Sequence, residues 1–177
     1  MSIITDAKKG DNKSFELLIE EYKLYIYKTA KSILKNEDDV CDVIQETLIS
    51  IYNNLKSLSD ENYFKTWAIR ITINKCYDLI RKNESNNKKN EIMKQKINIV
   101  NSNDNSNEIE KIDLENALLA LDDDLRLVTV LYYYDDISVS DIANILKIPK
   151  GTIKSRLSRA RKKLYEILIP EEVSGIE

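Results

Sequence analysis

The stretch Val139–Lys163, VSDIANILKIPKGTIKSRLSRARKK, decides how the rest of the chain is read. Ser140 is a candidate N-cap for a short helix ending near Leu146, and Ala143 is small where a second helix has to approach closely. Lys147-Ile148-Pro149 interrupts the pattern, with Ile148 as an apolar plug between the helices and Pro149 closing the turn. A second helix then runs from about Lys150 through Leu164. Along it, Ile153, Leu157, Ala160 and Leu164 recur on one face at three- and four-residue steps. Lys150, Lys154, Ser155, Ser158, Arg159 and Lys162 lie largely off that face. The pattern is a helix-turn-helix whose second helix is apolar on one side and basic on the other.

Charge sharpens this reading. Between Lys147 and Lys163 stand eight basic residues (Lys147, Lys150, Lys154, Arg156, Arg159, Arg161, Lys162, Lys163) and no acidic one. Lysine and arginine on such a helix neutralise phosphates or reach guanine edges in the major groove, and serine supplies both a donor and an acceptor. A basic solvated face on an ordinary surface helix would show similar cations. The short preceding helix and the proline-containing turn weigh the balance toward DNA.

Outward from this stretch, residues 111–168 keep a helical period throughout. Leu114, Leu118, Leu121, Leu125, Val128 and Leu131 form a first stripe, and Ile142, Ala143, Ile145 and Leu146 a second. Residues 83–110 are rich in asparagine, serine and charge and contain no aromatic residue. Such a segment buries too little apolar surface to offset its ordering entropy, and it is too long for a turn inside one compact domain. It reads as a flexible linker. Residues 1–82 are again helical in pattern. Phe15, Leu18, Ile19, Tyr22, Ile26 and Ile33 form one run, and Cys41, Ile44, Leu48, Ile51 and Leu55 another. Phe64, Trp67, Ala68 and Ile71 form a third, for which Ser59 or Asp60 is a reasonable N-cap. The expected fold class is therefore all-α: two small helical domains, residues 1–82 and 111–168, with a linker at 83–110 and an acidic tail at 169–177.

Composition bounds the function. Three glycines and two prolines in 177 residues argue against a turn-rich β fold. No apolar run approaches a membrane span and no signal-peptide pattern opens the chain, so a cytoplasmic location without membrane insertion is expected. Cys41 and Cys76 have no CxxC partner and read as two buried thiols. The absence of histidine removes the commonest zinc ligand and the usual activator of a nucleophile, and no cofactor or metal is implied. The net charge of -3 conceals a division along the chain, because Glu37, Asp38, Asp39, Asp42 and Glu46 form an acidic block with no basic residue among them. Two different partners, one of them polyanionic, follow from that division.

With these motifs in place the chain resembles a known family. Residues 114–168 are similar to the fourth conserved region of bacterial sigma factors, through Leu114-Glu115-Asn116-Ala117-Leu118, Asp141-Ile142-Ala143 and Gly151-Thr152-Ile153-Lys154-Ser155-Arg156-Leu157-Ser158-Arg159-Ala160-Arg161. The N-terminal zone resembles the second conserved region. Asp38-Asp39-Val40 leading into Asp42-Val43-Ile44-Gln45-Glu46-Thr47 looks like its polymerase-binding helix. Phe64 through Asn74, followed by Asp78-Leu79-Ile80-Arg81, looks like its promoter-melting helix. Two regions and a linker are the layout of the extracytoplasmic-function (ECF) type.

The resemblance implies a non-enzymatic initiation factor that binds core RNA polymerase and directs it to promoter DNA. It implies polymerase contacts at Asp42, Gln45 and Glu46, and contacts to the -10 element at Trp67, Arg70, Asn74 and Arg81. On pattern alone Trp67 belongs to the core stripe of Phe64 and Ile71. Residues 55–63 match the loop that captures a flipped base. Lys154, Ser155, Ser158 and Arg159 match positions that read the -35 element, with Thr152, Arg156 and Lys162 as phosphate contacts. An anti-sigma factor, in this family often membrane-anchored, and an envelope-stress role are implied as well. The turn carries Lys147 where the family usually has glycine, and a left-handed conformation there costs on the order of 1 kcal/mol. Ile69, Ile73, Lys75 and Tyr77 also depart from common family residues, which leaves the preferred promoter sequence open. Two rival readings are a stand-alone helix-turn-helix regulator and a metal-dependent nuclease using Asp38, Asp39 and Asp122-Asp123-Asp124. The first leaves the Asp42–Trp67 motifs unexplained. In the second, the aspartates sit at apparent helix starts, where they stabilise the helix dipole.

Overall fold

Helix starts in this chain are fixed by short polar side chains that take up orphan backbone N–H groups. Ser2 caps α1 (Ile3–Lys8), Asp11 caps α2 (Asn12–Ile33), and Asn36 caps α3 (Glu37–Asn54), accepting from the amides of Asp38 and Asp39. Glu37, Asp38 and Asp39 occupy the first turn of α3, where the positive end of the helix dipole favours them. Two short 3-10 turns, Leu55–Ser57 and Glu61–Tyr63, lead into α4 (Phe64–Met93), and Asp60 caps the second turn by accepting from the Asn62 amide. The C-terminal part holds α5 (Leu114–Leu119), α6 (Asp123–Thr129), α7 (Val139–Leu146) and α8 (Lys150–Leu168). A single π turn, Val130–Tyr134, continues α6. The computed structural model describes residues 2–93 and 114–169, and within these it is all-helical.

Several expectations are corrected. The cap of α7 is Ser138, whose Oγ accepts from the Asp141 amide at 3.1 Å, and not Ser140, which lies inside the helix. The stripe Leu114–Leu131 is divided between α5 and α6 by a break at Ala120–Asp122, and Leu114 is exposed. Cys41 is exposed because Val40, Val43, Thr47 and Ile51 form the buried face of α3. Cys76 is buried, and burial pushes its thiol up to about 12. Residues 83–93, read as linker, continue α4. Nothing in that stretch breaks a helix, since it lacks glycine and proline and includes Lys, Glu and Met. The rest of the expected linker lies outside the described residues, as does the tail from Pro170 onward.

The N-terminal core gathers Ile4 and Ala7 of α1, Leu18 and Ile26 of α2, and Ile51, Leu55, Leu58, Phe64 and Ala68. Phe64 is fully buried and meets Tyr22 edge-on with ring centroids 4.9 Å apart. A second core joins the two parts of the chain. Ile69 and Ile73 of α4 enter a cluster with Leu127, Val128 and Leu131, with Ile142 and Ile145 of α7, and with Ile153 and Leu157 of α8. The α4 helix is thus apolar on two faces, one turned to each half.

Polar contacts reinforce this seam. Arg126, only 4% exposed, donates through Nε to the Ser32 carbonyl of α2 at 2.9 Å and through Nη1 to the carbonyls of Leu119 and Leu121. Its Nη2 pairs with Asp123 at 2.5 Å, so a buried guanidinium finds partners for its charge and its fork of donors. Thr29 of α2 donates through Oγ1 to Asp135 Oδ2 at 3.1 Å. Asp135 is fully buried, and its Oδ1 has no partner among the described residues.

Burial raises the Asp135 carboxyl to about 7, against the opposing pull of the Thr29 hydroxyl and the charges of Lys65 and Lys28. In the unfolded chain the group returns to about 3.9. The stabilising effect of its proton is therefore fully present below about pH 4 and is lost as pH rises through about 7, at no more than about 1.4 kcal/mol per unit. Denaturant unfolding between pH 4 and 8 should record this decline. Asp135→Asn should flatten it; a variant whose stability falls in parallel with the wild type would show that the buried carboxyl is not its source.

Candidate nucleic-acid interface

The turn between α7 and α8 presents the basic helix. Lys147 adopts φ 55 and ψ 41, the left-handed conformation, and its N–H returns to the Ala143 carbonyl. Ile148 is half-buried against the seam core, as expected of a plug, and Pro149 directly precedes α8. From there Ile153, Leu157 and Ala160 are buried, with Leu164 packed beside Leu121 and Leu125. At about 100° per residue these four span an arc of about 60°. Each fully buried aliphatic side chain contributes about 1.5–3 kcal/mol, which holds the rest of the helix outward.

On the outer arc Lys150, Lys154, Ser155, Ser158, Arg159, Arg161 and Lys162 are all exposed. Arg159 Nη2 donates to Ser155 Oγ at 3.4 Å, a contact that arranges the two side chains without neutralising the charge. Among the described residues no ion pair involves Lys150, Lys154 or Arg161. Three other cations are engaged. Arg156 pairs with Asp124 and is half-buried, Lys163 holds Asp122 at 2.6 Å, and Lys162 reaches Glu166 at 3.8 Å. Thr152 is half-buried. Asp122 and Asp124 thus anchor α8 to the start of α6, and Asp123 anchors Arg126. Each aspartate of the run has a cation and stands at a helix start, which accounts for the whole cluster without a metal ion.

A second face lies on α4. Trp67, Arg70, Asn74 and Arg81 fall within an arc of about 60° on the helical wheel. Arg70, Asn74 and Arg81 are exposed, whereas Trp67 is half-buried against the N-terminal core and tilted on Phe64 at 6.0 Å. Arg81 pairs with Asp78 at 3.3 Å, both exposed. This arc runs between the two buried faces of α4, so the same packing fixes its direction. Tyr77 lies near Asp124 and Arg156, and its hydroxyl is raised first by burial and then by the Asp124 charge.

On α3, Asp42, Gln45 and Glu46 are exposed, as the acidic block leads one to expect. Sequence reading missed two features here. Lys75 of α4 pairs with Glu46 at 3.3 Å, and Ile49 and Tyr52 extend the Gln45 edge as exposed apolar groups, 62% and 53% exposed. Their i, i+4, i+7 spacing from Gln45 is the signal that would have found them. An apolar groove of about 300 Å³ also opens at the seam, lined by Leu24, Tyr27, Lys28, Leu118, Leu119 and Tyr134.

These features define an all-helical protein of the helix-turn-helix class, with a basic outer face on α8 and a separate acidic face on α3. Comparison with known proteins narrows the class. Residues 18–86 match the family model described as Sigma-70 region 2, and residues 111–164 match Sigma-70, region 4. The ECF RNA polymerase sigma factor SigW of Bacillus subtilis is 32% identical over 93% of this chain and 94% of its own length. The ECF RNA polymerase sigma-E factor of Haemophilus influenzae is 27% identical, covering 96% of this chain and 95% of that protein. Among solved structures, the sigma factor RpoE in complex with the anti-sigma factor NepR from Bartonella quintana is similar with a TM-score of 0.69 and 26% identity, over 90% of this chain and 99% of that one. The chain belongs to the ECF family of RNA polymerase sigma factors, which are transcription initiation factors and not stand-alone operator-binding regulators.

Lys147→Gly should relieve the left-handed strain and raise stability by up to about 1 kcal/mol. Chemical denaturation measures this, and a fall in stability would show that the turn holds lysine without strain.

Proposed function

We propose that this chain binds core RNA polymerase through its N-terminal helices and carries it to promoters with two recognition elements. The observation that carries the reading is the orientation of α8: Lys154, Ser155 and Arg159 face solvent while Ile153, Leu157 and Ala160 are buried behind them. Lys154, Ser155, Ser158 and Arg159 read the -35 element in the major groove, and Thr152, Arg156 and Lys162 meet phosphates. For Arg156 this requires sharing or leaving Asp124. Arg70, Asn74 and Arg81, with the edge of Trp67, engage the -10 element and hold its strands apart. Loop 55–63 receives an extruded base. Asp42, Gln45 and Glu46 dock on a basic surface of the polymerase, supported by the neighbouring Ile49 and Tyr52.

In this reading residues 1–82 and 111–168 act as the two functional domains, with 83–110 joining them and 169–177 as a tail. The polymerase supplies the chemistry, and this chain performs none. Its proposed partners, polymerase and promoter DNA, make the cytoplasm its place of action in this reading. An anti-sigma factor, membrane-anchored in an envelope-stress response, holds the chain inactive. The bare apolar groove at the seam, flanked by Lys28 and Lys31, suits an amphipathic helix with acidic flanks as that inhibitor's docking segment.

Reconstituted run-off transcription tests the reading. Core polymerase should yield a promoter-specific product only when the protein is added, and Asp42→Lys with Glu46→Lys should abolish both co-purification and product; product without the protein, or none with it, would end the proposal. On duplex -35 DNA, Lys162→Ala should lower the salt dependence of binding by about one counterion for every sequence alike. Arg159→Ala should instead cost about 1–3 kcal/mol and relax preference at one base pair, and equal behaviour of the two variants would refute the division of roles.

A further inference from the structure

Helix α1 holds more than it covers. Ile4 and Ala7 close the N-terminal core, which would suffice for a short covering helix. Its polar side chains, however, converge on one irregular segment 50 or more positions away. Lys8 Nζ donates to the Leu58 carbonyl at 2.6 Å, and Thr5 Oγ1 donates to Glu61 Oε1 at 2.7 Å. Lys8 also stands 4.0 Å from Glu61. The Thr5 hydroxyl, then Ser2, and the Lys8 charge hold the Glu61 carboxyl below its usual range.

These contacts fall at two points that bracket the tip of loop 55–63. Leu58 is buried beside Ile4 and Ala7 and forms one anchor, and Glu61 forms the other. Between and just beyond them Ser59, Asp60, Asn62 and Tyr63 are exposed, Tyr63 by 59%. An exposed aromatic ring and an amide on a loop fastened at its base can stack on and hydrogen-bond an unstacked base. The Leu58 carbonyl lies in a non-repetitive segment, and without Lys8 it would lose that partner.

We infer that α1 is the positioning element of the base-receiving loop, with Lys8 and Thr5 setting the shape of residues 58–63 before DNA arrives. The inference rests on the base-capturing role proposed above for that loop. Lys8 and Thr5 touch no DNA; they act through Leu58 and Glu61. Fixing the loop in advance removes an ordering step from strand opening and leaves polymerase docking on α3 and duplex reading on α8 untouched.

The experiment uses full-length protein in holoenzyme with core polymerase. Opening is read by 2-aminopurine fluorescence in the -10 element, and a single abasic site is scanned through the same strand. Lys8→Met and Thr5→Val, the latter leaving Ile4 and Ala7 in place, should each reduce open-complex formation roughly tenfold while polymerase affinity and -35 duplex binding stay at wild-type values. Lys8→Arg should restore opening. At the abasic position that removes the captured base, wild type and variants should become equal, because the interaction they differ in is gone. Wild-type opening by both variants would overturn the inference, as would a deficit that persists at every abasic position. If the wild type itself is indifferent to every abasic position, the loop captures no base, and both this inference and the reading beneath it fall.

Discussion

The structure depends on α4 being packed from two sides. Phe64 and Ala68 anchor it in the N-terminal core, while Ile69 and Ile73 enter the core built from α6, α7 and α8. Truncating a buried isoleucine of this kind costs about 2–5 kcal/mol. The size of that penalty makes the packing a constraint on everything attached to the helix. It sets the direction of the arc carrying Arg70 and Asn74, and it supports α8 from beneath, since Ile153 and Leu157 share the same cluster. Two surfaces suited to nucleic acid are therefore oriented by one hydrophobic contact.

Electrostatics is layered on that frame. Aspartates at the start of α6 take up Arg126, Arg156 and Lys163, so part of the basic charge of α8 is spent internally and the remainder faces outward. The pairs at Arg156 and Lys163 are partly exposed and individually weak. Their effect is geometric, fixing the roll of α8 against α6. Arg126 differs because it is buried, and loss of Asp123 would leave its charge with backbone carbonyls alone as partners.

Much of this was legible in the residues. The three- and four-residue apolar spacing located α2, α3, α7 and α8, and the run without acids marked the outer face of α8. The Lys147 turn was legible only in part: lysine where the family usually has glycine left the turn geometry open, and the backbone settles it as left-handed. Other features depended on contacts distant in sequence. A hydropathy stripe cannot tell that Ile69 and Ile73 have a partner more than fifty residues away, so α4 read as one-sided. The break between α5 and α6 was hidden because the leucine spacing continues across it. Cys41 looked buried because it shares a period with Ile44 and Leu48, yet the face turned inward is that of Val40, Val43 and Thr47. Arg126 and Asp135 carried no local mark at all. Their importance arises from Ser32 and Thr29, about a hundred positions earlier.

The seam also acts as a ruler. On duplex DNA, two elements centred near -35 and -10 lie about 85 Å apart along the axis. Even the 30-residue α4 measures only about 45 Å. While Ile69 and Ile73 share a core with α8, the two helices that would meet those elements are held in one packed cluster, far closer together than that interval. Under the proposed function, simultaneous occupancy therefore waits on separation of the halves, and apparent affinity for the whole promoter is scaled by the fraction of molecules in which they have parted.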